Sequence, residues 1–355
     1  MLRYHFLVAF VLLLAGCSSQ KKVSYMPPGK DEKHLRNLRQ LTFGGDNAEA
    51  YWSFDGKQLT FQSNNAAWGV QCDQIFTSKL SGFGDSGYVP NLISTGEGRT
   101  TCSYFMPDNK HVLFASTHLD NKSCPPPPET KGAYVWPLYP SYDIFVSDLN
   151  GKITARLTDQ SGYDAEATVS PDGKKIVFTS TRSGDLELWV MDIDGKNQKQ
   201  LTFGLGYDGG AFFSPDSKKI VFRSSRPKTE TEIAKYKDLL SRNLVEPTNM
   251  EIYTINVDGT NLRQVTTLGK ANWAPFYHPN NKKIIFSSNH KSARGYDFQL
   301  FMINEDGSNL EQITTESVFN SFPMFSPNGK QLVFSSNRNN GGGRATNLFV
   351  ADWID

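Results

Sequence analysis

The stretch SPDGKKIVFTSTRSGDLELWVMDIDG, Ser170 to Gly195, is repeated with variation along the chain. Close copies open at Ser214 (SPDSKKIVFRSSR) and Ser326 (SPNGKQLVFSSNR). Looser ones are SFDGK at Ser53, MPDNK at Met106 and HPNNK at His278. The six turns are spaced 53, 64, 44, 64 and 48 residues apart. Each is followed by a short apolar run (LTF, VLF, IVF, IVF, IIF, LVF), a Ser two residues on, a variable loop, and a second apolar run such as DIFVSDL or ELWVMDI.

The residue types specify strands joined by tight turns. Pro171 presets φ for the second position of a type I turn, Asp172 tolerates the bridge region, and Gly173 accepts positive φ. The runs are rich in Val, Ile and Phe. They are continuously apolar rather than alternating, so both sheet faces are expected to be buried. Four short strands per unit of about 45 residues match a β-propeller blade. The fold class is therefore all-β: a six-bladed β-propeller closed by an N-terminal strand, with a short helical insertion in blade 4. NLFVADWID ends the last unit after its third strand, and LRNLRQLT (Leu35 to Thr42) supplies a spare strand before the first.

These repeats resemble the WD40-like propeller units of the TolB type, over about residues 35–355. The resemblance implies the fold and, through the Tol–Pal system, an envelope role. TolB of that system carries an α/β domain in front of its propeller. Here the expected organisation is a signal peptide (1–16), a tether (17–34) and the ring.

The N-terminus points to export. Arg3 precedes the apolar run Phe6 to Leu14, too short to span a bilayer. Leu14-Ala15-Gly16-Cys17 is similar to a bacterial lipobox, which implies lipidation of Cys17, and Ser18 in place of Asp resembles the outer-membrane sorting pattern. Lipid-anchored residence at the outer membrane, in the periplasm or at the cell surface, is the expected location. Cleavage removes Arg3 and leaves 36 basic against 36 acidic side chains, which gives no electrostatic case for nucleic acid. An oxidising compartment favours one disulfide among Cys72, Cys102 and Cys124, with three pairings open.

Several features imitate catalytic or metal sites. The DIDGKN, NVDGTN and NEDGSN segments lie between the third and fourth strands, where Asp-Gly makes a turn, and lack the rest of a calcium loop. Ser63, Ser116, Ser180, Ser224, Ser288 and Ser336 occupy one position in all six units, which marks packing rather than nucleophiles. There is no G-x-S-x-G, no H-E-x-x-H and no Cys/His metal spacing, so no catalytic residue, metal or cofactor is assigned.

What recurs is frame, so function is sought where the units differ. Both large insertions fall between second and third strands: His118 to Tyr142 in blade 2 and Arg226 to Met250 in blade 4. The first has the stiff run Pro125 to Pro128, then Trp136, Tyr139 and Tyr142, which read either as a platform for a sugar or partner or as glue holding the loop down. The second has a capping-box spacing at Thr229 and Glu232, with Ile233, Tyr236, Leu239 and Leu240 on one helical face. Beside them, the innermost strands open with Asn47, Thr100, Asp164, Asp208, Asn272 and Asn320. Two residues on stand Glu49, Cys102, Glu166, Gly210, Ala274 and Phe322. The second strands end at Asn65, His118, Arg182, Arg226, His290 and Arg338. A polar ring at the channel mouth follows, with carboxylates at blades 1, 3 and 4 and the Arg and His residues farther out; the alternative is that the Asp and Asn side chains bond their own turns.

The expected function is a binding or scaffold module for an envelope protein, peptide or glycan. The alternative is a carbohydrate-active lyase or hydrolase, for which Glu49, Asp164, Glu166 and Asp208 are the available carboxylates.

Overall fold

A computed structural model describes residues 24–84, 87–130 and 132–355. Six four-stranded antiparallel sheets form the ring. Blade 3 is representative: Asp164–Val169, Lys175–Ser180, Glu187–Asp192 and Lys199–Gln200, in that order from inside to outside. The second strand of each blade is buried along nearly its whole length, as its unbroken apolar text requires. The sixth blade uses both chain ends: Leu35–Gln40 pairs antiparallel with Asn347–Trp353 as the outermost strand.

The repeated turn does more than reverse the chain. Ser170 Oγ donates to Asp172 Oδ1 (2.7 Å) and accepts from the amides of Lys174 (3.2 Å) and Lys175 (2.9 Å). The Asp172 amide then donates to Ser217 Oγ in the next blade. Gly173 has φ +72°, and a Cβ there would lie 2.9 Å from Pro107 of the preceding blade. Its glycine thus serves both the turn and the blade contact. The contact recurs at the seam, where Gly56 faces Pro327. The six serines that end the second strands are likewise buried.

Within the expected tether, residues 24–34 make contacts with the ring. The Met26 amide donates to Leu38 O (2.7 Å), His34 stacks on Trp353 at 4.8 Å, and Glu32 is buried. Cys17 and the leader lie outside the described residues. Among the described residues, no helix is long and apolar enough to cross a membrane.

The blade 4 insertion forms one helix, Glu230–Ser241, whose Thr229 and Glu232 make the capping box. Tyr236 and Leu239 are its buried side chains. A relation absent from the repeat pattern also appears: Trp136–Pro137 of the blade 2 insertion pairs antiparallel with Leu244–Val245 of the blade 4 insertion. The two insertions are thereby joined.

Candidate functional site: a roofed cavity on the propeller axis

All six innermost strands carry a bulge at their third residue. There the backbone turns left-handed: φ is 55° at Glu49, 48° at Cys102, 57° at Glu166, 59° at Gly210, 45° at Ala274 and 53° at Phe322. For the five non-glycine residues this costs roughly 1–2 kcal/mol each, which the surrounding sheet sustains. A bulge re-aims a side chain, and all six positions line a single cavity of about 370 Å³ on the axis.

Of the residue series read from the sequence, the one two residues into each innermost strand is therefore the one whose members all face the cavity. The first-position ring is drawn inside the blades, with only Thr100 also lining the cavity. Asp164 pairs with Arg182 at 2.5 Å, and Asp208 takes both ends of Arg226 at 2.6 and 2.8 Å. Asn320 accepts from Arg338 (3.0 Å), and Ser288 Oγ links Asn272 to His290. Asn47 and Asn65 both donate to Gly44 O, while the Thr100 hydroxyl donates to Asp73 O. His118 contacts Ser116 Oγ and packs on Phe145. The arginines also lie over ring faces, Arg182 on Phe178 and Trp189, Arg226 on Tyr253 and Arg338 on Phe334. These partners occupy the groups the sequence placed at an open mouth, and they leave no pair of free carboxylates among Asp164, Glu166 and Asp208.

Glu166 is held by four donors. Its Oε1 accepts from Tyr207 OH (2.6 Å) and Arg223 Nη2, and its Oε2 from Thr179 Oγ1 (2.7 Å) and the Gly210 amide (2.9 Å). Arg223 is a site residue that motif reading passed over. It reaches the axis because blade 4 has no side chain at its bulge: a Cβ on Gly210 would lie 1.8 Å from Arg223 Nη1. The available signal was an Arg just before the repeated Ser, where the other blades have Gln62, Ala115, Thr179, Ser287 and Ser335, together with Gly in the facing strand. Burial alone would lower the Arg223 pKa, but Glu166 and Tyr207 hold it above its ordinary value.

Glu49 differs from Glu166. It is half-buried in the cavity wall, and its neighbour is the Cys102 thiol. Burial, reinforced by the charges of Glu166 and Asp73, pushes its carboxyl up to about 7, against the downward pull of the Cys102 hydrogen bond and Arg223. Burial, reinforced by the charges of Glu49 and Glu166, pushes the Cys102 thiol well above its ordinary value. Asp73 pairs with Arg99 at 3.3 Å on the wall. Among the described residues, no three His, Cys, Asp or Glu are grouped to hold a metal.

The cavity is roofed and floored by aromatics. Tyr134, Trp136, Tyr139 and Tyr142 of the blade 2 insertion line it from above. Trp136 packs on Trp273 (5.1 Å) and under the Arg223 guanidinium, and Trp273 Nε1 donates to Pro247 O of the other insertion. Tyr139 and Tyr142 thus hold the loop and line the space beneath it. Tyr236 does not line the cavity; its hydroxyl donates to Asp185 and fastens the helix to blade 3. Below, Tyr51, Tyr104 and Phe212 form a plug with ring centroids 5.4–6.3 Å apart. Phe212 also lines a second cavity of about 250 Å³, rimmed by Pro171, Pro215, Pro279 and Pro327. The axis is thus divided into two chambers. Cys72 and Cys124 form the disulfide, leaving Cys102 free in the upper chamber.

The family model of the TolB beta propeller domain matches residues 133–238. A candidate TolB from Agrobacterium tumefaciens is similar at a TM-score of 0.58 and 20% identity, covering 88% of this chain and 91% of that one. TolB from Acinetobacter baumannii is similar at 0.55 and 18%, covering 87% of this chain and 64% of that one. An oligogalacturonate lyase from Vibrio parahaemolyticus gives 0.55 and 11%, covering 93% and 96%. At these identities the structures show a shared fold.

Proposed function

We propose that this chain, a six-bladed β-propeller with TolB-type repeats, is a binding module of the cell envelope, anchored by lipid at Cys17, whose ligand enters the roofed axial cavity. The partner class is an envelope protein, peptide or glycan. The observation that carries the reading is the joined roof. Strands more than 100 residues apart, Trp136–Pro137 and Leu244–Val245, pair the two insertions over a chamber lined by aromatics and by the Glu49 carboxyl. A chamber of this size, lined by aromatics with charged groups converging on it, has the anatomy of a small-ligand or side-chain pocket.

A photo-crosslinking side chain in place of Tyr134, on the roof, tests it in the intact envelope. The expected result is a discrete adduct that disappears when residues 228–248 are replaced by a short linker. Absence of any adduct, or an identical adduct from the roofless protein, would count against the chamber as the ligand site. Labelling with a fatty-acid probe, lost in Cys17→Ser, tests the anchor.

A further inference from the structure

We infer that the roofed cavity takes a protonated amine carried on an apolar or aromatic body, with the Glu49 carboxylate accepting its N–H groups. The inference rests on the cavity being the ligand site and adds the chemistry of what enters it.

The charges facing the cavity do not balance. Its lining holds three carboxylates, Glu49, Asp73 and Glu166, against two cations, Arg99 and Arg223, and contains neither Lys nor His. Asp73 is matched by Arg99 and Glu166 by Arg223. Glu49 remains, with a thiol as its hydrogen-bonding neighbour and no cation of its own among the described residues. Its raised proton affinity has the same origin, since a carboxylate removed from bulk water without a counter-charge favours its neutral form. A ligand ammonium would supply the missing charge and a charge-assisted hydrogen bond. An anion would instead have to displace Glu166 or Asp73 from its arginine. The lining also includes the aromatic rings of Tyr51, Tyr163, Trp273 and Phe322, which suit a hydrocarbon or ring behind the ammonium and offer π-faces to the cation.

The groups facing Glu49 are the Cys102 thiol, Glu166, Arg223, Asp73 and Tyr51. With its carboxyl pushed up to about 7, Glu49 is expected to titrate between about pH 6 and 8. A primary amine stays protonated over that range. Amine affinity is therefore expected to rise with pH through about 7 and then level off.

The experiment is calorimetric titration of the full propeller with phenethylamine, 2-phenylethanol and phenylacetate, and with a capped peptide bearing one lysine between apolar residues. At pH 8 the amine should bind at least about tenfold more tightly than the alcohol, the scale of one charge-assisted hydrogen bond. That advantage should shrink at pH 6 and vanish in Glu49→Gln, whose fold is checked by its melting curve. If that variant fails to fold, the wild-type pH profile alone decides the matter. A peptide tighter than phenethylamine assigns the amine to a polypeptide, and the reverse order to a free ligand; both support the inference. Equal binding of amine, alcohol and carboxylate overturns it while leaving the cavity as a ligand site. No binding of any probe overturns both.

Discussion

Glu32 and Arg338 are joined by two hydrogen bonds, 2.9 and 3.1 Å long, inside the sixth blade and 306 residues apart in sequence. Blades 3 and 4 each pair an arginine with an Asp at the head of their own innermost strand. Blade 6 has Asn320 there, and the carboxylate is delivered by the segment before the ring. Glu32 also accepts from the amides of Gly29, Thr315 and Glu316. Burial would raise its pKa, but the pairing with Arg338 and these amides hold it below its ordinary value.

Removing one member of a buried pair strands the other, so Glu32→Gln should destabilise the ring by about 3–5 kcal/mol. Asp31→Asn, at the exposed neighbouring residue, is the matched control. Urea unfolding would show the midpoint falling with an unchanged slope. Because the folded carboxyl titrates below its unfolded value, its contribution is present above the ordinary carboxylate range and is lost as acid takes the pH below it.

Deleting residues 35–42 removes the strand that completes the sixth sheet, and cooperative unfolding should be lost. A deletion protein with the wild-type melting curve would refute that role for the strand.

Glu49→Gln should act in the opposite sense to Glu32→Gln. A carboxyl raised from 4.5 to about 7 in the folded state weakens folding progressively as pH climbs between those values. The variant should match wild type at pH 4 and exceed it at pH 8 by up to roughly 3 kcal/mol, at 1.36 kcal/mol per unit. Equal stability at both pH values would show that Glu49 remains hydrated.

Gly210→Ala places a Cβ where Arg223 stands, at a left-handed position. The side chain must move, and Glu166 loses its cation. A loss of several kcal/mol is expected, and most of it should already be present in Arg223→Ala, so the two changes should be strongly non-additive. Additive losses in a double-mutant cycle would rule out the shared mechanism.

Replacing residues 228–248 removes the strand that pairs with Trp136–Pro137 and the helix fastened through Tyr236. The blade 2 insertion should then become open to proteolysis within residues 119–141 while the ring keeps its cooperative transition. Protection equal to wild type would mean that Trp136 on Trp273 holds the loop unaided.

Particular residues show how far the sequence could be read. Ser170 to Gly173 fix a turn through bonds within five residues, so the turn, the strand after it and the sixfold count were all legible. The capping box at Thr229 was legible for the same reason. The residue series at the channel mouth could be aligned from the repeat, but which of them face the axis could not be read from it. Asp164 and Glu166 are two residues apart, and strand alternation would place them on one face. The bulge at Glu166 breaks that alternation and turns its side chain to the axis, while Asp164 stays within the blade. The paired changes in the two series, Asp with Arg in blades 3 and 4, were an unused sign that these residues meet each other. The pairing of Cys72 with Cys124 could not be separated from its alternatives before the insertion was seen folded back.

The sequence by itself determined the frame: an all-β ring of six units, where each unit begins, and which two loops are long. Those features rest on turn chemistry and apolar runs that act over a few residues. Only the tertiary structure decided that the two insertions pair into a roof, that Arg223 enters through the gap at Gly210, that Glu32 serves blade 6, and that the axis is split by an aromatic plug. Each depends on side chains from different blades converging on one line. Ring closure sets those distances, and no local sequence signal carries them.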